Sequence, residues 1–96
     1  MEIAFIAELW RWEGDGGWYF VTVPEELSDE LEDAHGGQHG FGSIPVEVTV
    51  GGTTWRTSLF PSSRHRAFVL PVKKQVRTRE GIQEGEPVSV ALLVVE

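Results

Sequence analysis

The segment from Ile44 to Phe60, IPVEVTVGGTTWRTSLF, carries the pattern that decides the fold. Its first half alternates apolar residues with polar residues or proline, as a half-buried β-strand does. The apolar residues are Ile44, Val46, Val48 and Val50. Gly51-Gly52 is a two-residue turn typical of a β-hairpin, and such a turn sets the register of the returning strand. The register predicts that Trp55 points into the core and that Glu47 faces Arg56 across the hairpin.

Further strands are predicted wherever β-branched and aromatic residues lie between turn-forming segments. They are residues 3–12, Trp18 to Val23, Arg66 to Val72 and Pro87 to Val95. The last strand is apolar on both faces towards its end, which predicts a central position covered on both sides. Two short helices are predicted, Pro24 to Leu31 and Lys73 to Glu80, with Gly81 ending the second. His35 to Gly42 is predicted to be a glycine-histidine loop.

Two pairs of similar segments indicate an internal repeat. Pro45-Val46-Glu47-Val48 is similar to Pro87-Val88-Ser89-Val90, and Val23-Pro24 is similar to Leu70-Pro71. Chance similarity in a sequence rich in valine and proline is the alternative. With a repeat, the chain is predicted to be one all-β domain, residues 1–96, forming a closed six-stranded barrel with pseudo-two-fold, three-plus-three organisation and one or two short helices. Closure would leave no exposed strand edge.

Composition excludes several classes of protein. The chain has 96 residues, which suits a single domain, and it contains no cysteine for disulfides or thiolate chemistry. Its start has no basic segment followed by an apolar run, so no signal peptide is predicted. The apolar run from Val90 to Val95 is far shorter than the roughly 20 residues needed to span a bilayer. A cytoplasmic protein with no membrane partner is expected.

The charge is distributed unevenly along the chain. The formal net charge is −7, yet the segment between Arg56 and Arg79 contains only basic charged residues. One interpretation is that these charges pair with acidic residues across strands. The other is a local basic face that binds an anionic partner despite the acidic total. The candidate anion-binding residues are Arg56, Arg64, Arg66, Lys73, Lys74 and Arg77.

Three tryptophans form a second candidate site. Trp10 and Trp12 are two residues apart, so they share the strand face opposite to Leu9, and Trp18 follows after a glycine-rich turn. Tryptophan buries a large area and is enriched at recognition surfaces. Trp10, Trp12 and Trp18 therefore either pack as a small cluster or line an aromatic groove that contacts a ligand.

Catalytic and metal-binding patterns are weak. Ser58, Ser62 and Ser63 lie near His65, but no spacing defines a nucleophile with its base. His35, His39 and His65 lack the fourth ligand that structural zinc usually needs, and glycines separate the first two. No catalytic residue, metal site or cofactor is predicted, and the role of the His35–His39 loop is left open.

Nearly the whole chain resembles the domain-of-unknown-function 1905 family of small bacterial proteins. The matching stretches are Phe5 to Trp12, Gly17 to Pro24, Gly42 to Val46, Gly51 to Pro61, Leu70 to Lys74, Val76-Arg77, Gly81 and Gly85. The resemblance implies a closed six-stranded barrel. It implies no activity, because the family has no established function.

A fainter resemblance covers Phe68 to Leu92, which is similar to the swapped-hairpin DNA-binding domains of antitoxins and transition-state regulators. The shared pattern is a strand, Leu70-Pro71, a basic helix, Gly81-Ile82, Gly85-Glu86 and a strand. This chain departs from it by one residue between the proline and Arg77. The resemblance implies a fused version of a barrel that those proteins form as dimers.

Three functions are compatible with the sequence. The first is a non-catalytic module that binds an anionic ligand or nucleic acid through the basic face, which salt-dependent binding would support. The second is a structural or protein-interaction module, including a homodimer. The third is an enzyme with a site at the barrel mouth, for which a strongly perturbed histidine or carboxylate would be the evidence.

Overall fold

The computed structural model describes residues 1–35 and 42–95 as an antiparallel β-sheet with two helices. The strands are β1 (Glu2–Glu8), β2 (Trp10–Arg11), β3 (Tyr19–Thr22), β4 (Ile44–Val50), β5 (Thr53–Ser62), β6 (Ala67–Pro71) and β7 (Pro87–Val94). The helices are α1 (Glu25–His35) and α2 (Lys74–Glu80). The strand order is β1-β7-β4-β5-β6-β3-β2. Neither helix is long and apolar enough to cross a membrane, among the residues described.

The β4–β5 hairpin has the predicted register. Glu47 lies opposite Arg56, and Val48 lies opposite Trp55, which packs against the core. The apolar side chains of β4 are all buried, whereas the residues between them are only half-buried. Alternation and turn length together were sufficient here because a shift of one residue would expose the whole apolar face.

The predicted closed six-stranded barrel is wrong: the sheet is an open half-barrel of seven strands. The extra strand arises because the first segment breaks at Leu9. Leu9 belongs to neither strand: its N–H donates to the Glu86 carbonyl at 2.9 Å, and its carbonyl accepts from the Gly85 N–H at 2.8 Å, both in the turn before β7. β1 and β2 are thus separated in the chain only by the buried Leu9. They form the two edges of the described sheet and do not pair with each other.

The final strand occupies the predicted central position, but it is covered on one face only. β7 lies between β1 and β4, and its residues alternate strictly between exposed and buried. Ala91 and Leu93 point to the outer face, while Leu92 and Val94 belong to the core. An apolar run does not distinguish these positions, because alanine and leucine can occupy an exposed face at little cost.

The strand pairings repeat between the two halves of the chain. β1 pairs with β7 and β2 pairs with β3; in the same way, β5 pairs with both β4 and β6. The pairs β3·β6 and β4·β7 each join a strand to its own counterpart in the other half. Two hydrogen bonds of 2.9 Å make the correspondence explicit: Val23 N–H to Phe68 C=O, and Val72 N–H to Tyr19 C=O. Val23 thus corresponds to Val72 and Tyr19 to Phe68, so α1 and α2 begin at equivalent positions.

The helices differ from prediction mainly in length. α2 begins at Lys74, one residue later than predicted, and ends at Glu80 as predicted; Gly81 caps it in the left-handed conformation (φ 66°). α1 extends to His35 instead of ending at Leu31, so His35 is its buried last residue rather than the start of a loop. The rest of the predicted glycine-histidine loop up to Phe41, including His39, lies outside the described residues.

Candidate functional site

A cavity of about 530 Å³ opens between the turn before β3 and the start of α2. It is called the basic cavity here. The residues that line it include three cations and no carboxylate: Gly16, Gly17, Trp18, Tyr19, Pro71, Val72, Lys73, Lys74 and Arg77. Glu13 and Asp15 precede this turn in the chain but lie outside the lining. The cavity therefore presents positive charge on a chain that is acidic overall.

One wall of the basic cavity is a glycine turn, and the other is the link from β6 to α2. Gly16 and Gly17 both have positive φ angles (103° and 64°), a conformation that favours glycine. They lead into Trp18 and Tyr19. The Tyr19 carbonyl accepts a hydrogen bond from the Val72 N–H. This bond holds the two walls together and places Lys73 beside the turn.

Arg77 has a fixed position within the cavity. Its guanidinium donates a hydrogen bond of 3.0 Å to the Val72 carbonyl and lies 3.8 Å from the centroid of the Tyr19 ring. A cation over an aromatic face is an attractive contact. Lys73 and Lys74 are exposed and are in no ion pair with a described carboxylate. Arg77 thus shapes the cavity, whereas the two lysines keep their ammonium groups available.

The six predicted anion-binding residues do not share one cavity. Lys73, Lys74 and Arg77 come together as described. Arg56 is exposed on β5 and lies in register with Glu47, as expected for a cross-strand charge pair. Arg64 is exposed in the turn between β5 and β6, and Arg66 lines a different crevice.

That second crevice, of about 290 Å³, is a partial pseudo-two-fold counterpart of the basic cavity, because four of its nine lining residues correspond to residues that line the cavity. It is called the acidic crevice and is lined by Ser28, Asp29, Glu32, Pro61, Ser62, Ser63, Arg66, Ala67 and Phe68. Arg66 occupies the place of Gly17, and both have left-handed backbones (φ 52° and 64°). Asp29 and Glu32 offset the charge of Arg66 here, so this crevice offers no excess of positive charge.

Two of the three predicted tryptophans line an apolar groove of about 310 Å³ on the outer face of β3, β5 and β6. It is called the aromatic groove and is formed by Trp12, Trp18, Phe20, Phe60, Val69 and Pro71. Trp12, Trp18 and Phe60 are 43%, 53% and 44% exposed. Exposed aromatic side chains that gather in one groove are typical of recognition surfaces.

Trp10 lies beside this groove rather than in its lining. Its indole N–H donates to the Thr22 hydroxyl at 2.9 Å, and its ring lies 5.1 Å from Phe20 and 4.8 Å from His65. Phe20 in turn stacks with Trp18, with ring centroids 6.2 Å apart and an interplanar angle of 13°. Trp10 therefore lies beside Phe20 at the edge of the groove, and a row of four rings runs from His65 to Trp18.

The basic cavity and the aromatic groove adjoin, since Trp18 and Pro71 line both. Sequence patterns alone did not single out Tyr19 or Phe60. The hairpin register was sufficient to place Phe60, because Leu59 faces Ile44 in the core and the next side chain must point outward. No sequence signal identified Tyr19, which becomes significant only through Arg77.

Groups with catalytic potential are few in the described chain. The Ser62 hydroxyl lies 2.9 Å from His65 Nδ1, but His65 is exposed and its ring packs on Trp10. In residues 1–35 and 42–95, no group of three or more histidine, cysteine or acidic side chains is arranged to hold a metal ion.

Comparison with known proteins places the chain in a family to which no activity is assigned. No curated protein matched the chain. The model of the domain of unknown function DUF1905 matches residues 5–92, a range that includes every lining residue of the basic cavity and the aromatic groove. Because the match covers nearly the whole chain, this protein belongs to the DUF1905 family.

Proposed function

We propose that this protein is a non-catalytic binding module for phosphate-bearing ligands, nucleic acid among them, with the basic cavity as its site. The observation that carries the proposal is the lining of the cavity, which combines Lys73, Lys74 and Arg77 with no carboxylate. Two exposed ammonium groups beside a fixed guanidinium supply the charge that phosphate contacts need.

The proposed site is narrower than a continuous basic face. Arg56 lies opposite Glu47, and Arg66 shares its crevice with Asp29 and Glu32. Nearby carboxylates offset the potential of these arginines, so they contribute less to attracting an anion. Because some cations lie in the basic cavity and others outside it, a variant that removes the same charge outside the cavity can serve as a matched control.

The test is a titration of the protein with short DNA and RNA, single- and double-stranded, at about 50 and 200 mM salt. Trp18 lines the cavity and is one of the four tryptophans of the chain, so we expect tryptophan fluorescence to change when the cavity is occupied. We expect binding that weakens steeply with salt. The variant Lys73→Gln/Lys74→Gln should lower affinity at least about tenfold and reduce the salt slope by about 1.4 for a single strand, at 0.7 per lost phosphate contact.

The control is Arg56→Gln/Arg64→Gln, which removes the same charge from exposed residues outside the cavity. It should retain most of the affinity. Equal losses in both double variants would indicate diffuse attraction and overturn the cavity as the site. No binding of any probe at low salt would overturn the nucleic-acid part of the proposed function.

A second candidate, a protein-interaction module, is favoured by the outer face of β1 and β7. Ile6 and Leu93 are 68% and 41% exposed there, and Ala4 lies in register with Ala91. Light scattering after gel filtration tests self-association through this face. A dimer that Ile6→Ser/Leu93→Ser converts to a monomer would support the second candidate; a monomer at all concentrations would exclude the homodimer.

A further inference from the structure

We infer that the ligand of the basic cavity is single-stranded nucleic acid, whose phosphates contact Lys73 and Lys74 while its bases stack in the aromatic groove. This inference rests on the proposed function and specifies its ligand. The observation behind it is that the two surfaces are continuous: Trp18 and Pro71 line both.

The chemistry of the two surfaces matches the two parts of a nucleotide. The groove presents Trp12, Trp18 and Phe60, each more than two-fifths exposed, and its lining contains no charged side chain. The adjoining cavity presents the lysines. A ligand that covers both must carry apolar flat groups next to anionic groups, and a single strand repeats that combination at every residue.

The arrangement of the rings favours stacking over simple burial. Trp18 is 53% exposed, and its ring is nearly parallel to that of Phe20 (13°). Trp10 packs on Phe20 from the other side and is tied to Thr22 by its indole N–H. Because the neighbouring rings hold each other in a row, the outer indole is presented with little freedom to lose on binding.

A duplex fits this surface less well than a single strand. Its bases already stack on each other and cannot reach a side-chain ring without unpairing. The cations would still attract its phosphates, but the aromatic groove would contribute little. Preference for single strands over duplex is therefore a direct consequence of the inference, and phosphate binding alone does not produce it.

The experiment compares three fluorescein-labelled probes by anisotropy at low salt: oligothymidylate of about 12 nucleotides, an abasic strand of the same length, and the corresponding duplex. The abasic strand has the same phosphates and no bases. We expect oligothymidylate to bind about 5- to 150-fold tighter than the abasic strand for each stacked base, and also tighter than the duplex.

The variant Trp12→Leu/Trp18→Leu should bring oligothymidylate down to the affinity of the abasic strand. Both side chains are substantially exposed, so we expect the fold to be retained, as circular dichroism would verify. Ile6→Ser/Leu93→Ser removes exposed apolar side chains outside the groove and should leave the affinity unchanged.

The outcomes separate this inference from the proposed function. Equal affinity for oligothymidylate and the abasic strand, both weakened by Lys73→Gln/Lys74→Gln, would overturn base stacking and leave phosphate binding intact. Duplex binding as tight as single-strand binding would have the same meaning. No binding of any of the three probes would overturn the inference and the nucleic-acid part of the proposed function together. An acidic, aromatic-rich peptide that displaced oligothymidylate and bound more tightly would reassign the surface to a protein partner.

Discussion

The basic cavity and the acidic crevice lie at corresponding places in the two halves of the molecule, and both are bounded by a helix tethered to the strand before it. In the first half, the Ser28 hydroxyl donates to the Val23 carbonyl at 3.1 Å. In the second half, Arg77 donates to the corresponding Val72 carbonyl at 3.0 Å. The backbone acceptor is equivalent, but the donor is short in one half and long in the other.

The length and charge of this donor account for the difference between the two sites. Ser28 is buried and also accepts the Phe68 N–H at 3.1 Å, so α1 lies close to β6. Arg77 extends over Tyr19 instead, and the cavity beside it is about 530 Å³ against about 290 Å³ in the acidic crevice. A repeated backbone can thus carry a smaller crevice with acidic residues in one half and a larger, basic cavity in the other.

The largest difference in stability is expected where the inner face of each helix meets the sheet. Leu31 on α1 is fully buried, whereas Glu80, at the corresponding position of α2, bonds the Thr53 hydroxyl at 2.5 Å. Leu31→Ala should lower the free energy of unfolding by about 2–5 kcal/mol because it leaves a cavity. Glu80→Ala should cost about 1.5 kcal/mol, the lower end of the range for a hydrogen bond to a charged group, because this contact is partly solvated.

Urea denaturation followed by circular dichroism measures both losses. If Glu80→Ala proved as costly as Leu31→Ala, the second half would depend on its polar contact as much as the first depends on burial. The contrast between the two helices would then fail.

A smaller difference is expected between the two tethers. Ser28→Ala removes two hydrogen bonds and leaves the Phe68 N–H buried without a partner, so we expect a loss of about 1–3 kcal/mol. Arg77→Ala should cost about 1 kcal/mol, because its contacts are partly exposed. Thermal unfolding of the two variants ranks these losses. A larger loss for Arg77→Ala would show that the arginine holds the fold together, which would make it unsuitable as a ligand contact.

The smallest effect concerns the turns that open β3 and β6. Gly17→Ala should cost about 1 kcal/mol, since its left-handed φ penalises a side chain although a Cβ there would meet no atom within 4 Å. Arg66→Gly should stabilise by up to about 1 kcal/mol, because it relieves the same strain at the corresponding place. Chemical denaturation measures both changes in the free energy of unfolding. A decrease for Gly17→Ala with an increase for Arg66→Gly would support the equivalence of the turns, whereas a decrease for both variants would contradict it.

Local sequence patterns were most informative where contacts between residues close in the chain were sufficient to fix the structure. Alternation from Ile44 to Val50 and the Gly51-Gly52 turn predicted the hairpin and its register. The repeat was predicted correctly at Pro45 and Pro87 but was two residues out at Pro24, whose structural counterpart is Lys73 rather than Pro71. The helices begin after these positions irrespective of proline, so the proline match was misleading.

The sequence by itself determined the mainly β fold, the central hairpin, α2 and the presence of a basic segment, because each depends on residues close together in the chain. Only the tertiary structure decided that the sheet stays open at Leu9, since that depends on hydrogen bonds to Gly85 and Glu86. It also divided the basic segment, bringing Lys73, Lys74 and Arg77 to Trp18 and placing Arg66 beside Asp29. The reason is physical: charge along the chain is a sum over neighbours in sequence, whereas the potential at a site depends on neighbours in space.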